Sequence, residues 1–372
     1  MLFNGTFNSG GNVPTSGPGT RLMWYPVKAA FRVGRVLGTH WDEANVGSHS
    51  IAMGYSTTAS ADYSTAIGFV TTASGAVATS MGRGTSASGN YSTAIGYNTG
   101  ASGEFSTAMG FLTDASGYSS TTMGNTTTAG GSYATAMGAE TIASGDYSTA
   151  MGYSSDATGN YATAMGAGTA ASGFVSTAMG DSTVASGIRS TAMGRSTTAS
   201  GDYSTAMGTR TTAQAYASVA LGQYNAVAGS TTTWVATDPL LVVGNGSDAS
   251  HLSNALTLLK NGNMTIAGTL TQNSDSRLKT NIHDLNQPLQ KITHLHGIQY
   301  QWNPATHPGT VDADGIQLGF LAQDVQTVLP ELVKPDSNGY LSVNYVGVIP
   351  VLVEAVKDLR KKLEKKRPRI GR

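Results

Sequence analysis

One pair of side chains whose types could do covalent chemistry sits at a junction in this sequence. Ser274 precedes Lys279 by five residues, with Asp275 and Arg277 between them. A serine hydroxyl is a poor nucleophile at neutral pH and needs a base beside it. Lysine can be that base only when neutral, a form that burial favours. Ser and Lys are common, and the same spacing also fits a polar loop leading into a domain. Other chemistries are poorly provided for. The chain has no cysteine, which removes disulfides, thiolate nucleophiles and zinc-thiolate sites. His294-x-His296 alone is a poor metal site, so neither metal nor cofactor is expected. Polysaccharide hydrolysis needs two carboxylates facing each other across a groove. The acids of the long central region, such as Asp62, Glu104, Asp146 and Asp202, are sparse and do not recur. Gly82-Arg83-Gly84 belongs to a repeat and is not a phosphate loop.

The elements that must carry such a site are unusual. Of 372 residues only 12% are charged, against roughly 25% in ordinary domains, and 47 are glycine. Cations and anions balance at 22 each, but no lysine occurs between Lys28 and Lys260. A central region so poor in cations cannot neutralise many phosphates, so no nucleic-acid partner is expected. No apolar run is long enough to span a membrane, and the first residues lack the pattern of a secretory signal.

Periodicity decides the architecture. Glycine recurs every 14 residues from Gly54 to Gly222, and a second ladder runs from Gly75 to Gly201. Fourteen residues fit one coil of a β-solenoid, with two short strands and two tight turns at which glycine would supply positive φ. Coils stacked about 4.8 Å apart would make a rod of roughly 60 Å. The residue before each glycine of the first ladder is Met, Ile or Leu, from Met53 to Leu221, and the residue before that is usually Ala. So thin a coil cannot enclose both rows. Ala and Gly are therefore expected inside, with the Met/Ile row facing another copy of the chain. The aromatic row that includes Tyr63, Tyr91, Phe105, Tyr133, Tyr147, Tyr161 and Tyr203 would either stack between coils or present a sugar-binding surface. Threonine pairs such as Thr197-Thr198 could form a flat ice-binding face or simply suit solenoid strands.

Four regions follow. Residues 1–46 combine a Gly/Pro/Ser-rich arm, expected to be mobile, with an aromatic cluster (Trp24, Tyr25, Phe31, Trp41) placed to cover the solenoid's open end. Residues 47–229 hold the repeats, and 230–273 form a β-rich neck with Asn-Gly turns. At Ser274 ordinary α+β patterning begins and continues to residue 372. Leu285, Leu289, Ile292 and Leu295 mark a short helix, and 332–343 a hairpin. Ile349, Leu352, Val356, Leu359 and Leu363 form a heptad seam, which predicts a coiled coil. The basic stretch Lys357–Arg372 reads as a solvated helix face.

Two resemblances sharpen this picture. Units such as Ser-Thr-Ala-Met-Gly-Tyr-Ser-Ser-Asp-Ala-Thr-Gly (148–159) resemble the head repeats of trimeric autotransporter adhesins. That resemblance implies a left-handed parallel β-roll, a homotrimer, and a binding or spacer role; the C-terminal barrel anchor of those adhesins has no counterpart here. The junction 273–282, taken with Gly297–Pro304, Gly319–Val333 and the terminal helix, resembles the intramolecular chaperone domain at the ends of phage tail spikes and fibres. This second resemblance implies a Ser-Lys dyad of Ser274 and Lys279 that cleaves the Asn273–Ser274 bond and releases the domain.

The expected molecule is therefore mainly β. It has a solenoid, a neck and a small α+β autoprotease domain ending in a coiled-coil helix, and it assembles as a homotrimer. The role implied is that of a virion tail fibre or spike with an unidentified cell-surface receptor. A secreted bacterial adhesin of the same build is the alternative, and a polysaccharide-degrading spike a more distant one.

Overall fold

The structure is a computed structural model that describes residues 4–303 and 315–366. The chain forms two compact units, 1–268 and 269–372.

The first unit is a parallel β-solenoid. Each coil contributes one five-residue strand, such as Thr149–Tyr153, and one two-residue strand, such as Asp156–Ala157. Every long strand pairs with the next in a 14-residue register, as in Thr149↔Thr163 and Gly152↔Gly166. Strand alternation sorts the side chains between the two faces. The alanines, among them Ala136, Ala150, Ala157 and Ala164, are wholly buried and form a continuous core. The Met/Ile row lies on the opposite face of the same strands, with Met53 37% and Met123 40% exposed in the single chain.

The glycines of the first ladder do hold positive φ, as with Gly152 (115°) and Gly166 (133°), but inside the long strands and not in the turns. The tight turns are held in the left-handed region mostly by other residues, such as Ser154 (φ 50°) and Tyr161 (φ 60°). Glycine is demanded as well by the closeness of the coils. A Cβ on Gly152 would stand 2.0 Å from the Gly166 carbonyl oxygen, and one on Gly159 would stand 2.2 Å from that of Gly173.

Aromatic side chains stack from coil to coil. The rings of Tyr147 and Tyr161 are parallel, with centroids 4.9 Å apart, and Tyr133 stacks on Tyr147 at 4.8 Å. Tyr147 thereby has both ring faces covered by its neighbours, as the stacking reading expects. The threonine pairs do not form a flat face, since Thr197 is buried inside while Thr198 is only half-buried.

Both ends of the stack are closed by continuing its sheet. Gly19–Tyr25 and Ala30–Val36 form an antiparallel hairpin whose second strand pairs with the first coil, Phe31↔Ile51. Arg32 stands opposite Ala52 and fills the interior there. Its guanidinium donates to the Ser50 and Ala59 carbonyls and to Ser50 Oγ. Burial draws the Arg32 pKa down to about 10, so it stays charged at neutral pH. Trp41 is wholly buried and donates through Nε1 to the Thr57 carbonyl.

The described part of the N-terminal arm is tied down, against the expectation of mobility. Val13 N–H donates to Glu43, Gly17 N–H to Asp42, and Tyr25 Oη to the Gly11 carbonyl. Composition alone carries no sign of these contacts, because the acceptors lie up to 30 residues away. At the other end, Pro239–Asn245 pairs in parallel with the last coil, Gly222↔Gly244. Asn254–Leu259 and Met264–Ile266 then add antiparallel strands, joined through Asn261 and Gly262 (φ 86°).

The second unit is α+β. Helix α1 spans Pro288–His294; it starts three residues after Leu285 because Pro288 suits a first helical turn. Ile298–Tyr300 pairs with Gln317–Gly319, and Val333–Pro335 with Leu341–Val343. Helices α2 (Ala322–Val328) and α3 (Val348–Lys366) complete the unit. Val325, Leu329, Val333 and Val351 form its core, with Ile292 and Phe320 packed on them. Along α3, Val351 and Ala355 face that core while the heptad seam is free: Ile349 is 57% and Leu363 59% exposed. The basic residues beyond Lys366 lie outside the described residues.

Candidate active site

The dyad is assembled by a single short turn. Asp275 caps a 3-10 turn, Ser276–Leu278, by accepting from the Arg277 N–H at 2.9 Å. Leu278 N–H donates to the Asp275 carbonyl and Lys279 N–H to that of Ser276, both at 3.1 Å. The chain thereby reverses over six residues and brings the two ends of the motif together. Lys279 Nζ lies 2.6 Å from Ser274 Oγ and donates to it. On loss of its proton the same amine could accept from the hydroxyl, which is the geometry a general base requires.

A second pair lies inside the turn. The Arg277 guanidinium grips the Asp275 carboxylate, with Nη2–Oδ2 at 2.7 Å and Nε–Oδ1 at 3.1 Å. These hydrogen bonds hold the Asp275 carboxyl below its ordinary range and raise Arg277. Spacing alone gives neither Asp275 nor Arg277 a part. The available signal was an aspartate two residues before an arginine at the start of a turn, a position where a short acidic side chain satisfies free backbone N–H groups.

Residues 267–287 are exposed throughout, the dyad included. Leu278 and Ile282, 71% and 66% exposed, stand uncovered on either side of Lys279. The histidines stand apart from this pair: His294 sits in α1 and donates through its ring to the Gln290 carbonyl, while His283 and His296 are exposed.

Comparison with known proteins meets this geometry at the same residue. Residues 274–334 match the family described as chaperone of endosialidase, and the match begins at Ser274. The YadA head domain repeat matches residues 46–69, 73–99, 87–113, 143–169, 171–197 and 199–225. The chain is also similar to the long tail fibre protein Gp37 of Enterobacteria phage K3, at 40% identity over 100 residues, which is 25% of this chain and 8% of that protein. The long tail fibre protein Gp37 of Enterobacteria phage T2 is likewise 40% identical over 100 residues, again 25% of this chain and 7% of the relative. The match therefore spans less than a tenth of either relative.

Proposed function

We propose that this chain is part of a homotrimeric phage tail fibre, located in the virion tail, whose C-terminal domain sets the register of three chains and then cuts itself free at Asn273–Ser274. The observation that carries the reading is the 2.6 Å contact between Ser274 and Lys279, at the first residue of the chaperone match. The long tail fibre relatives support the setting. The solenoid serves as shaft or head, and its receptor is a cell-surface glycan or protein.

The repeat explains why such a domain is needed. Sliding one chain by 14 residues against its neighbours preserves nearly every contact, so a trimer of solenoids has many almost equivalent registers. A heptad seam on α3 has one best alignment and fixes the ends before the coils associate. Removing the domain afterwards leaves the trimer without the element that assembled it, so that its persistence is governed by a rate.

The cleavage follows from the dyad. Neutral Lys279 takes the proton of Ser274 Oγ as that oxygen attacks the Asn273 carbonyl carbon through a five-membered ring. The C–N bond of the scissile peptide breaks, and the proton passes to the departing Ser274 nitrogen. The resulting ester is hydrolysed by water to an Asn273 carboxylate and a restored Ser274 hydroxyl, so each chain reacts once. Excluding water disfavours the charged form of lysine. The assembled trimer is what would bury this exposed segment, through Leu278 and Ile282, so that cleavage reports assembly.

Mass spectrometry of the purified full chain tests this. Wild type should yield fragments 1–273 and 274–372, while Ser274→Ala and Lys279→Ala stay intact and still trimerise by light scattering. An intact wild type, or a cut that survives Ser274→Ala, refutes the dyad.

A further inference from the structure

We propose that Asp275 and Arg277 are positioning residues for the Ser274–Lys279 pair, Asp275 by shaping the turn and Arg277 by keeping the Asp275 carboxylate away from the lysine. The inference rests on the proposed autocleavage and deepens it.

The turn poses an electrostatic problem. Its cap is a carboxylate, which is the best acceptor for free backbone N–H groups, yet it stands four residues from the amine that must lose its proton. A carboxylate beside a lysine favours the ammonium form, and an ammonium cannot serve as base. The structure resolves the conflict with a guanidinium. Arg277 occupies both oxygens of Asp275, Oδ2 at 2.7 Å and Oδ1 at 3.1 Å. Asp275 Oδ1 still accepts the Arg277 N–H that caps the turn. Lys279 is left with Ser274 Oγ, and it forms no ion pair among the described residues. Residues 267–287 are exposed in the single chain, and the charged and titratable groups of Lys279's own segment among the described residues are Asp275, Arg277, His283 and Asp284. Arginine suits the task better than lysine would, since its planar fork binds a carboxylate through two parallel bonds and keeps its charge at any pH the protein meets.

The two roles separate by substitution. Asp275→Ala removes the cap and should slow cleavage at every pH, because the dyad is no longer held together. Asp275→Asn keeps an acceptor for the turn and should recover the plateau rate. It also leaves Arg277 unpaired beside Lys279, so the pH–rate curve moves to lower pH. Arg277→Gln frees the Asp275 carboxylate and should move the curve the opposite way, slowing cleavage at neutral pH. For a charge a few ångströms away each displacement is at least about half a unit, and larger where the assembled trimer excludes water. The double variant Asp275→Asn/Arg277→Gln should return close to the wild-type curve, because the local charge balance is restored.

The experiment follows full-length chains made in cell-free synthesis and shifted into a pH series. Hydroxylamine present throughout splits the ester as it forms, so the first step is the one timed. Opposite displacements for Asp275→Asn and Arg277→Gln support the proposal. Unchanged curves, or displacements of one sign, overturn it. Should Arg277→Gln fail to assemble, the acid displacement of Asp275→Asn decides alone. A wild type that never cleaves, or a Ser274→Ala chain that does, refutes the autocleavage itself. Normal cleavage with unmoved curves refutes only the part given to Asp275 and Arg277.

Discussion

Replacing Gly152 with alanine tests the claim that coil stacking selects glycine over and above its positive φ. The new Cβ would lie 2.0 Å from the Gly166 carbonyl oxygen and 3.0 Å from its carbon, all of it backbone with no side chain to swing aside. Gly152 also sits at φ 115°, where an L side chain costs roughly 1–3 kcal/mol. Forcing the coils apart adds about 1–3 kcal/mol, so the whole change costs about 2–6 kcal/mol. Two other glycines serve as controls. Gly159 has the same kind of clash, 2.2 Å from the Gly173 oxygen, without a positive φ, so Gly159→Ala should cost only the steric part. Gly130 has ordinary φ and nothing closer than Ser116 Oγ at 3.9 Å. Gly130→Ala should be neutral or stabilise by about 0.4–1 kcal/mol through the unfolded chain. Repeat arrays do not unfold in two states, so the assay is hydrogen exchange of the amides in coils 138–180, read beside the melting temperature. The expected order of lost protection is Gly152→Ala, then Gly159→Ala, then Gly130→Ala. Equal protection in all three would show that the coils can part at no cost, and the packing argument would fail.

Two further perturbations address the proposed trimer and the N-terminal cap. Aspartate at both Met137 and Met151 would place unpaired charges on the proposed inter-chain face, at about 2 kcal/mol or more each. Trimer yield by light scattering should then fall sharply, whereas unchanged assembly would mean that the row stays exposed. In the cap, burial pushes the Glu43 carboxyl up, but hydrogen bonds from Tyr25 and Lys28 outweigh it and leave the group below the usual glutamate range. A carboxyl depressed by folding stabilises above its unfolded pKa, and that contribution is lost as pH falls through the folded one. The fluorescence of buried Trp41 should therefore report loosening of the cap below about pH 4.5 in wild type, and no such step in Glu43→Gln.

The sequence by itself determined whatever recurs. A 14-residue period, an Ala/Met alternation and a 3-4 heptad spacing are local patterns, and each needs only one kind of neighbour to be understood. They settle the solenoid, the face on which Met53 to Leu221 lie, and the free seam of α3. The approach of Ser274 to Lys279 was legible for a similar reason, since a five-residue spacing can close through one turn. What happens once along the chain was not legible. The pinning of the arm by Asp42 and Glu43, Arg32 inside the first coil, and the neck strand 239–245 continuing the stack all join residues far apart in sequence. Glycine's task was also decided in three dimensions: the ladder is visible in one dimension, but the 2.0 Å approach that demands it belongs to the stacking of one coil on the next. The grip of Arg277 on Asp275 depends on side-chain direction within a single turn, which spacing alone does not specify and which the folded backbone does.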